Sequence, residues 1–270
     1  MPEIKIGVVG CGGRMGRMLV SEAKAAGGFR VVAGSEAPGS ALLGKDVGEL
    51  AGVGALGVAA VADAAAVFKA AEVVLDFTVP TASVAHARLA AETGRALVLG
   101  TTGLDAAQGA AVREAAKRVP IMWAANFSLG VNLLLSLVEQ AARALGDEYD
   151  IEILEMHHRH KVDAPSGTAL VLGEAAARGR GVDLGSLSER VRDGHPGARK
   201  RGNIGFAVLR GGDVAGEHSV IFAAPGERLE LGHRAGTRAI FARGAISAAR
   251  WVAGKPAGLY DMKDVLGLRD

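Results

Sequence analysis

The chain opens with a short apolar run at 4–10, closed by glycine. Further continuous runs stand at 29–36, 73–79, 96–100 and 121–125. Between them, positions 14–26, 81–93 and 105–118 carry apolar residues at helical spacing. Apolar strands that do not alternate, separated by helices, predict a parallel sheet covered on both faces. The pattern changes after Asn126. An apolar helix is predicted over 131–145, a strictly alternating strand over 150–156 and a helix over 166–178. Three strand-like runs follow between 205 and 235, joined by Arg210-Gly211-Gly212-Asp213 and Ala224-Pro225-Gly226-Glu227, and read as an antiparallel, hairpin-rich block. A helix over 237–252 and a Gly/Pro-broken tail end the chain, and the polar stretch 190–203 reads as a long loop.

Composition changes this picture little. The 270 residues suit two domains, and with 49% hydrophobic but only 4% aromatic residues the cores must be built from Ala, Val and Leu. A net charge of +2 gives no ground for a nucleic-acid partner. No apolar run reaches the ~18 to 20 residues that span a bilayer, so no membrane partner is expected. Cys11 is the single cysteine, so no internal disulfide forms, and with no signal-peptide pattern at the start a cytoplasmic location is expected.

Gly10-Cys11-Gly12-Gly13-Arg14-Met15-Gly16 follows the first strand and opens the first helix, the context a phosphate-binding turn requires. Glycine lets backbone approach a pyrophosphate, and the helix N-terminus offers unpaired N–H groups. Glu36, twenty residues beyond Gly16 at the end of the second strand, can accept hydrogen bonds from an adenosine ribose. Ala37 follows where an enzyme selecting a 2′-phosphate often carries Arg, so the cofactor is read as NADH or NADPH with a lean toward NADH. Residues 39–46 nearly match a nucleoside-triphosphate loop, but Asp46 replaces the Ser or Thr that would hold Mg²⁺, and no strand directly precedes the segment. It reads as a loop.

His157-His158-Arg159-His160-Lys161 puts three of the seven histidines at the end of a strand, and Ser166 then caps a helix that opens with Gly167 and Thr168. Cationic side chains beside a helix start suit a small substrate with carboxylates, and histidine and lysine can both donate protons. A zinc site is the competing reading. Adjacent histidines on a strand point oppositely, and no cysteine or H-E-x-x-H ligand pattern supports a metal. No metal is expected.

The segment from Glu152 to Ala169, with its His157-His158-Arg159-His160-Lys161-Val162-Asp163-Ala164-Pro165-Ser166-Gly167-Thr168, resembles the signature of the dihydrodipicolinate (4-hydroxy-tetrahydrodipicolinate) reductases. Asp76-Phe77-Thr78, Gly100-Thr101-Thr102-Gly103, Ala124-Ala125-Asn126-Phe127-Ser128, Gly216-Glu217-His218 and Gly258-Leu259-Tyr260-Asp261-Met262 extend the resemblance over essentially the whole chain. It implies NAD(P)H-dependent reduction of a small dicarboxylate in the diaminopimelate route to lysine, by a cytoplasmic homotetramer. By the same resemblance His157 is the catalytic acid/base and Lys161 the proton donor, while His158, Gly167 and Thr168 bind substrate carboxylates. Gly10, Cys11, Gly12, Gly13, Arg14, Met15, Glu36, Gly100, Thr101, Thr102, Ala124, Ala125, Asn126 and Phe127 match cofactor contacts. The expected fold is α/β. A Rossmann-like parallel-sheet dinucleotide domain spans 1–126, with 239–270 returning to it. A smaller α+β substrate-binding and tetramerisation domain spans 127–238, with a mostly antiparallel sheet. Asp163 either orients Lys161 or caps the turn.

Two rivals stand beside this reading. Short-chain dehydrogenases need Tyr-x-x-x-Lys, but Tyr149 and Tyr260 are followed at that spacing by Ile153 and Asp264; another small-acid dehydrogenase stays open. A non-catalytic dinucleotide sensor would keep the glycine turn and Glu36 without needing His157 and Lys161.

Overall fold

A computed structural model describes residues 3–269. In chain order, β1 (Ile4–Val9), α1 (Arg14–Ala26), β2 (Phe29–Ser35), α2 (Val47–Leu50), β3 (Ala60–Val61), α3 (Ala64–Ala70), β4 (Val73–Asp76), α4 (Pro80–Thr93), β5 (Ala96–Leu99), α5 (Ala106–Ala116) and β6 (Pro120–Trp123) come first. Then follow α6 (Leu129–Leu145), β7 (Asp150–His157), α7 (Gly167–Arg180), α8 (Leu184–Leu187), β8 (Ser188–Glu189), β9 (Ile204–Arg210), β10 (Gly216–Ala224) and β11 (Glu227–Ala235). The last elements are α9 (Ala239–Val252), β12 (Gly258–Tyr260) and α10 (Met262–Val265). Two compact units result: one holds the described residues up to Leu129 together with those from Ala239 onward, the other is Gly130–Arg238.

The first unit is a seven-stranded sheet in the order β12-β6-β5-β4-β1-β2-β3, with every pairing parallel. Its strands are apolar on both faces because both faces are covered. Val73, Leu75, Val98 and Met122 pack into one core with residues of α1 and α9, and Val74, Leu97, Leu99 and Ile121 into another with residues of α3, α4 and α5. The C-terminal return is close-packed. A side chain at Gly244 of α9 would run into the Phe127 carbonyl oxygen, so only glycine lets the helix approach this closely.

Two segments depart from the sequence reading here. The Gly/Pro-broken tail is structured: β12 joins the sheet edge parallel to β6, and Met262 of α10 is buried in the core. The stretch between 36 and 73, for which no element was expected, carries α2, β3 and α3. Asp46 is its knot, because its carboxylate caps α2 through Gly48 and Glu49 and also accepts from the Leu56 and Val58 N–H groups. These backbone donors, Leu56 first, hold the Asp46 carboxyl down at about 2.

The second unit is a five-stranded sheet in the order β11-β10-β7-β9-β8. Alternation along β7 turns Ile151 and Ile153 inward, where they meet Leu134, Val138, Leu172, Ala176, Phe206 and Phe222. The expectation of consecutive hairpins over 205–235 needs correction. Only β10 and β11 form one, while β9 runs parallel to β7, and β10 lies antiparallel on the other side of β7. The sheet is therefore mixed, though most paired positions are antiparallel. Residues 211–215 are thus a crossing loop and not a turn. They are tied to the end of β7 by Gly211 N–H to His157 O, His158 N–H to Val214 O and Arg159 N–H to Gly212 O, at 2.8 to 3.2 Å. The polar stretch 190–203 lies as a loop whose Arg192 and Arg199 both bind Glu152.

Candidate active site

In the first unit, the residues expected to contact a cofactor gather at the carboxyl ends of β1, β2, β5 and β6, where open parallel sheets bind ligands. Gly10 has φ of +67°, a left-handed turn that favours glycine. A side chain at Gly16 would run into the Gly10 carbonyl oxygen, and one at Gly12 into Leu42. Within the turn, Cys11 N–H bonds Ser35 O (3.0 Å), Gly13 N–H bonds Gly10 O (3.1 Å), and Gly12 N–H bonds Glu36 Oε1 (2.6 Å). Gly13 caps α1 with no side-chain hydrogen bond, so the first helical turn, with Arg14 and Met15, presents N–H groups that no side chain has claimed. Arg17, which the sequence reading passed over, braces the turn through Nε to Gly12 O at 2.7 Å.

The Cys11 side chain turns away from the loop surface. It is buried against Gly34, and burial, then the Glu36 charge, pushes the thiol up to about 11. Gly100 N–H bonds Asp76 O, and a side chain there would strike the Phe77 ring. Thr101 is buried and accepts from Ser83, Thr102 is exposed, and Ala124 N–H bonds Leu99 O. Ala125 is exposed, Asn126 accepts from Ser128 N–H, and the Phe127 ring packs tilted against Phe77 with ring centres 5.1 Å apart. Beneath these loops lies a buried pair that sequence reasoning missed, Asp76 Oδ2 with His86 Nδ1 at 2.8 Å, with Thr78 donating to Asp76 Oδ1.

In the second unit, strand alternation puts Glu155 and His157 on the inward face of β7, at the end the crossing loop wraps. His157 is 8% exposed and its Nδ1 lies 2.6 Å from Glu155 Oε2. Glu155 takes Arg210 as a two-pronged partner at 2.8 and 2.9 Å and accepts Ser166 N–H at 3.0 Å. Burial alone would raise the Glu155 carboxyl, but Arg210, His157 and the Ser166 N–H outweigh it and hold the carboxyl below the usual range. Ser166 caps α7 through Ala169 N–H, and its hydroxyl meets His218 Nε2 at 3.0 Å. Gly167 follows, exposed, with open space where a side chain would stand, and then Thr168.

Lys161 Nζ bonds Asp163 Oδ1 at 2.8 Å, which lowers the Asp163 carboxyl, and the Asp163 carbonyl accepts from Arg210. Of the two roles expected for Asp163, the contact with Lys161 is the one present. His158 meets Arg238 at 3.4 Å, and burial, then the Arg238 charge, lowers its pKa. Glu155, Arg210 and His218 are the residues that sequence reasoning left without a role. The two-residue period of β7 could have placed Glu155 beside His157. No local signal places Arg210 and His218, which arrive across the sheet. Among the described residues no group of three or more His, Cys, Asp or Glu could hold a metal ion, and no helix is long and apolar enough to cross a membrane.

Comparison with known proteins gives this geometry a family. Residues 4–127 match the family described as dihydrodipicolinate reductase, N-terminus, and residues 130–266 match dihydrodipicolinate reductase, C-terminus. A 4-hydroxy-tetrahydrodipicolinate reductase of Afipia carboxidovorans is 55% identical over 99% of this chain and 98% of its own. One of Brucella abortus is 58% identical over 97% and 98%. Among solved structures, a dipicolinate-bound dihydrodipicolinate reductase from Paenisporosarcina sp. TG-14 shares the fold, with a TM-score of 0.77 at 22% identity over 96% of this chain and 97% of that one. The chain belongs to the dihydrodipicolinate reductase family.

Proposed function

We propose that this protein reduces 4-hydroxy-tetrahydrodipicolinate to tetrahydrodipicolinate with a pyridine nucleotide, the reductase step of the diaminopimelate route to lysine. The observation that carries this reading is the constellation in the second unit: buried His157 at a strand end, Lys161 in the following loop, and the open start of α7 at Gly167. A dinucleotide sensor has no use for that constellation.

The nucleotide's fit rests on the glycine turn. Its close approaches exclude side chains at Gly12 and Gly16, and the first turn of α1 leaves N–H groups for a pyrophosphate. Gly10, Cys11, Gly12, Gly13, Arg14 and Met15 would hold the phosphates, and Glu36 the adenosine ribose. Gly100, Thr101, Thr102, Ala124, Ala125, Asn126 and Phe127 would line the nicotinamide side. When bound, the reduced nicotinamide supplies the hydride. The chain's own residues do the rest. His158, Gly167 and Thr168 hold the substrate carboxylates, and His157 and Lys161 manage the proton that must accompany the hydride. Asp163 keeps Lys161 in place.

Two finer readings belong with this. The cofactor lean is toward NADH, because Ala37 offers no cation to a 2′-phosphate beside the Glu36 carboxylate. The quaternary reading is a homotetramer built on the sheet of the second unit, in keeping with a nine-residue edge strand, β11, that is exposed along most of its length. A cytoplasmic location fits a biosynthetic enzyme of this kind.

The test is the absorbance loss of NADH with the dicarboxylate substrate. Turnover is expected, and His157→Ala and Lys161→Ala should each lower kcat by ~10² to 10⁴-fold while nucleotide binding persists. No turnover by the intact protein would sink the assignment. Unimpaired turnover in either variant would remove that residue from the mechanism.

A further inference from the structure

His157 is held from one side only. Its Nδ1 is 2.6 Å from Glu155, whereas among the described residues no hydrogen bond is made to Nε2. Gly216 lies against this edge of the ring, and a Cβ added there would stand 3.0 Å from Nε2. Glycine therefore keeps the outer edge of the ring clear while the inner edge is bound.

The inner partner is itself over-determined. Glu155 is 1% exposed, and each of its oxygens has two donors: His157 Nδ1 and Arg210 Nη1 on Oε2, Arg210 Nη2 and Ser166 N–H on Oε1. Such a carboxylate is ionised and can only accept, so Nδ1 of His157 must carry its proton. Nε2 is then the nitrogen that gains or gives a proton. The other histidine in contact, His218, lies edge-on with ring centres 5.1 Å apart. Burial, then the His157 charge, pushes His218 down to about 4, so it brings no competing cation near neutrality.

We infer that Glu155, clamped by Arg210 and the Ser166 N–H, is the positioning residue of His157: it fixes the ring tautomer and aims Nε2 at the space beside Gly216. This rests on the proposed role of His157 in proton transfer. The same clamp ties the acid/base to the carboxylate-binding end of the site, since the Ser166 N–H that it holds belongs to the N-cap of α7. The helix start also keeps a cap of its own, Ser166 Oγ accepting from Ala169 N–H, so its orientation does not rest on Glu155 alone.

Glu155→Gln tests this, because an amide cannot satisfy all four donors. With its NH₂ toward His157, it faces Nδ1–H and Arg210, and the ring escapes only by moving its proton to Nε2. With its NH₂ toward Ser166, it faces two donors there. In the full-length enzyme the expected result is a kcat lowered roughly 10² to 10⁴-fold, the range over which an orienting carboxylate acts, with KM for the dicarboxylate within about threefold. Adding Glu155→Gln to His157→Ala should then cost no further rate, because the two act as a unit. Imidazole ¹⁵N NMR at a pH where the ring is neutral should show His157 protonated at Nδ1 in the wild type, and a shift toward Nε2–H in Glu155→Gln.

Wild-type turnover in Glu155→Gln alongside a dead His157→Ala overturns the inference and leaves the enzyme reading intact. So does full additivity in the double variant, or a wild-type ring protonated at Nε2. Wild-type turnover in His157→Ala instead sinks the role of His157 itself, and the NMR still reports whether Glu155 sets the tautomer. The wild-type spectrum decides even if Glu155→Gln does not fold.

Discussion

Single side chains sit in environments that make sharp predictions. His218 is buried, with its Nδ1 without a hydrogen-bond partner, and burial followed by the His157 charge lowers its pKa from 6.5 to about 4. Because the folded value lies below the unfolded one, between pH 6.5 and 4 the unfolded chain binds the extra proton. Folding stability therefore rises with pH through that window, and the penalty is absent above it. The difference in melting temperature between the wild type and His218→Asn should climb from pH 4 to 6.5 and then level off; a difference that is flat with pH would refute the assignment. The proposed lean toward NADH also rests on a single position, Ala37. Michaelis constants should favour NADH over NADPH, and Ala37→Arg should raise kcat/KM for NADPH by about tenfold, the worth of one hydrogen bond to a charged group. A lower constant for NADPH in the wild type would reverse the lean toward NADH. The glycine turn, Glu36 and the basic segment were all legible at this scale, because close backbone approach and clustered cations leave a local signature. Glu155 was legible only through the two-residue period of its strand.

Elements were read well where their periodicity was strong and poorly where tertiary pairing made them. The core strands β1, β2, β4, β5 and β6 announce themselves as largely apolar runs, interrupted by Lys5 in β1 and Arg30 in β2, since both faces of the sheet are covered. By contrast, β3, β8 and β12 have two or three residues each and exist only because a neighbouring strand offers hydrogen bonds. The C-terminal segment is the most consequential of these. Its Gly and Pro residues read as breaks, yet β12 extends the sheet and Met262 is 1% exposed in the core. Met262→Ala should cost about 2 to 5 kcal/mol, the usual range for a large-to-small change in a core, measured by urea unfolding. A loss well under 1 kcal/mol would show that the tail is not integral to the first unit.

Across the whole molecule, the two proposed sets of site residues are divided between the units: those proposed for the nucleotide on the parallel sheet, those proposed for proton transfer and carboxylate binding on the mixed one. The mixed sheet ends in the long exposed strand β11, where Leu229 is 41% exposed. Long uncovered edges invite pairing and are ordinarily protected. If the proposed homotetramer holds, light scattering at micromolar concentration should give four times the chain mass, and a monomer or a dimer would overturn it. The sequence by itself determined the division into two folding patterns, the nucleotide turn and the cationic segment, because each is written in neighbouring residues. Tertiary structure alone decided that β9 lies parallel to β7, with β10 on its far side. Strand pairing between distant segments has no local code, and that pairing sets Arg210 and Gly216 on either side of His157.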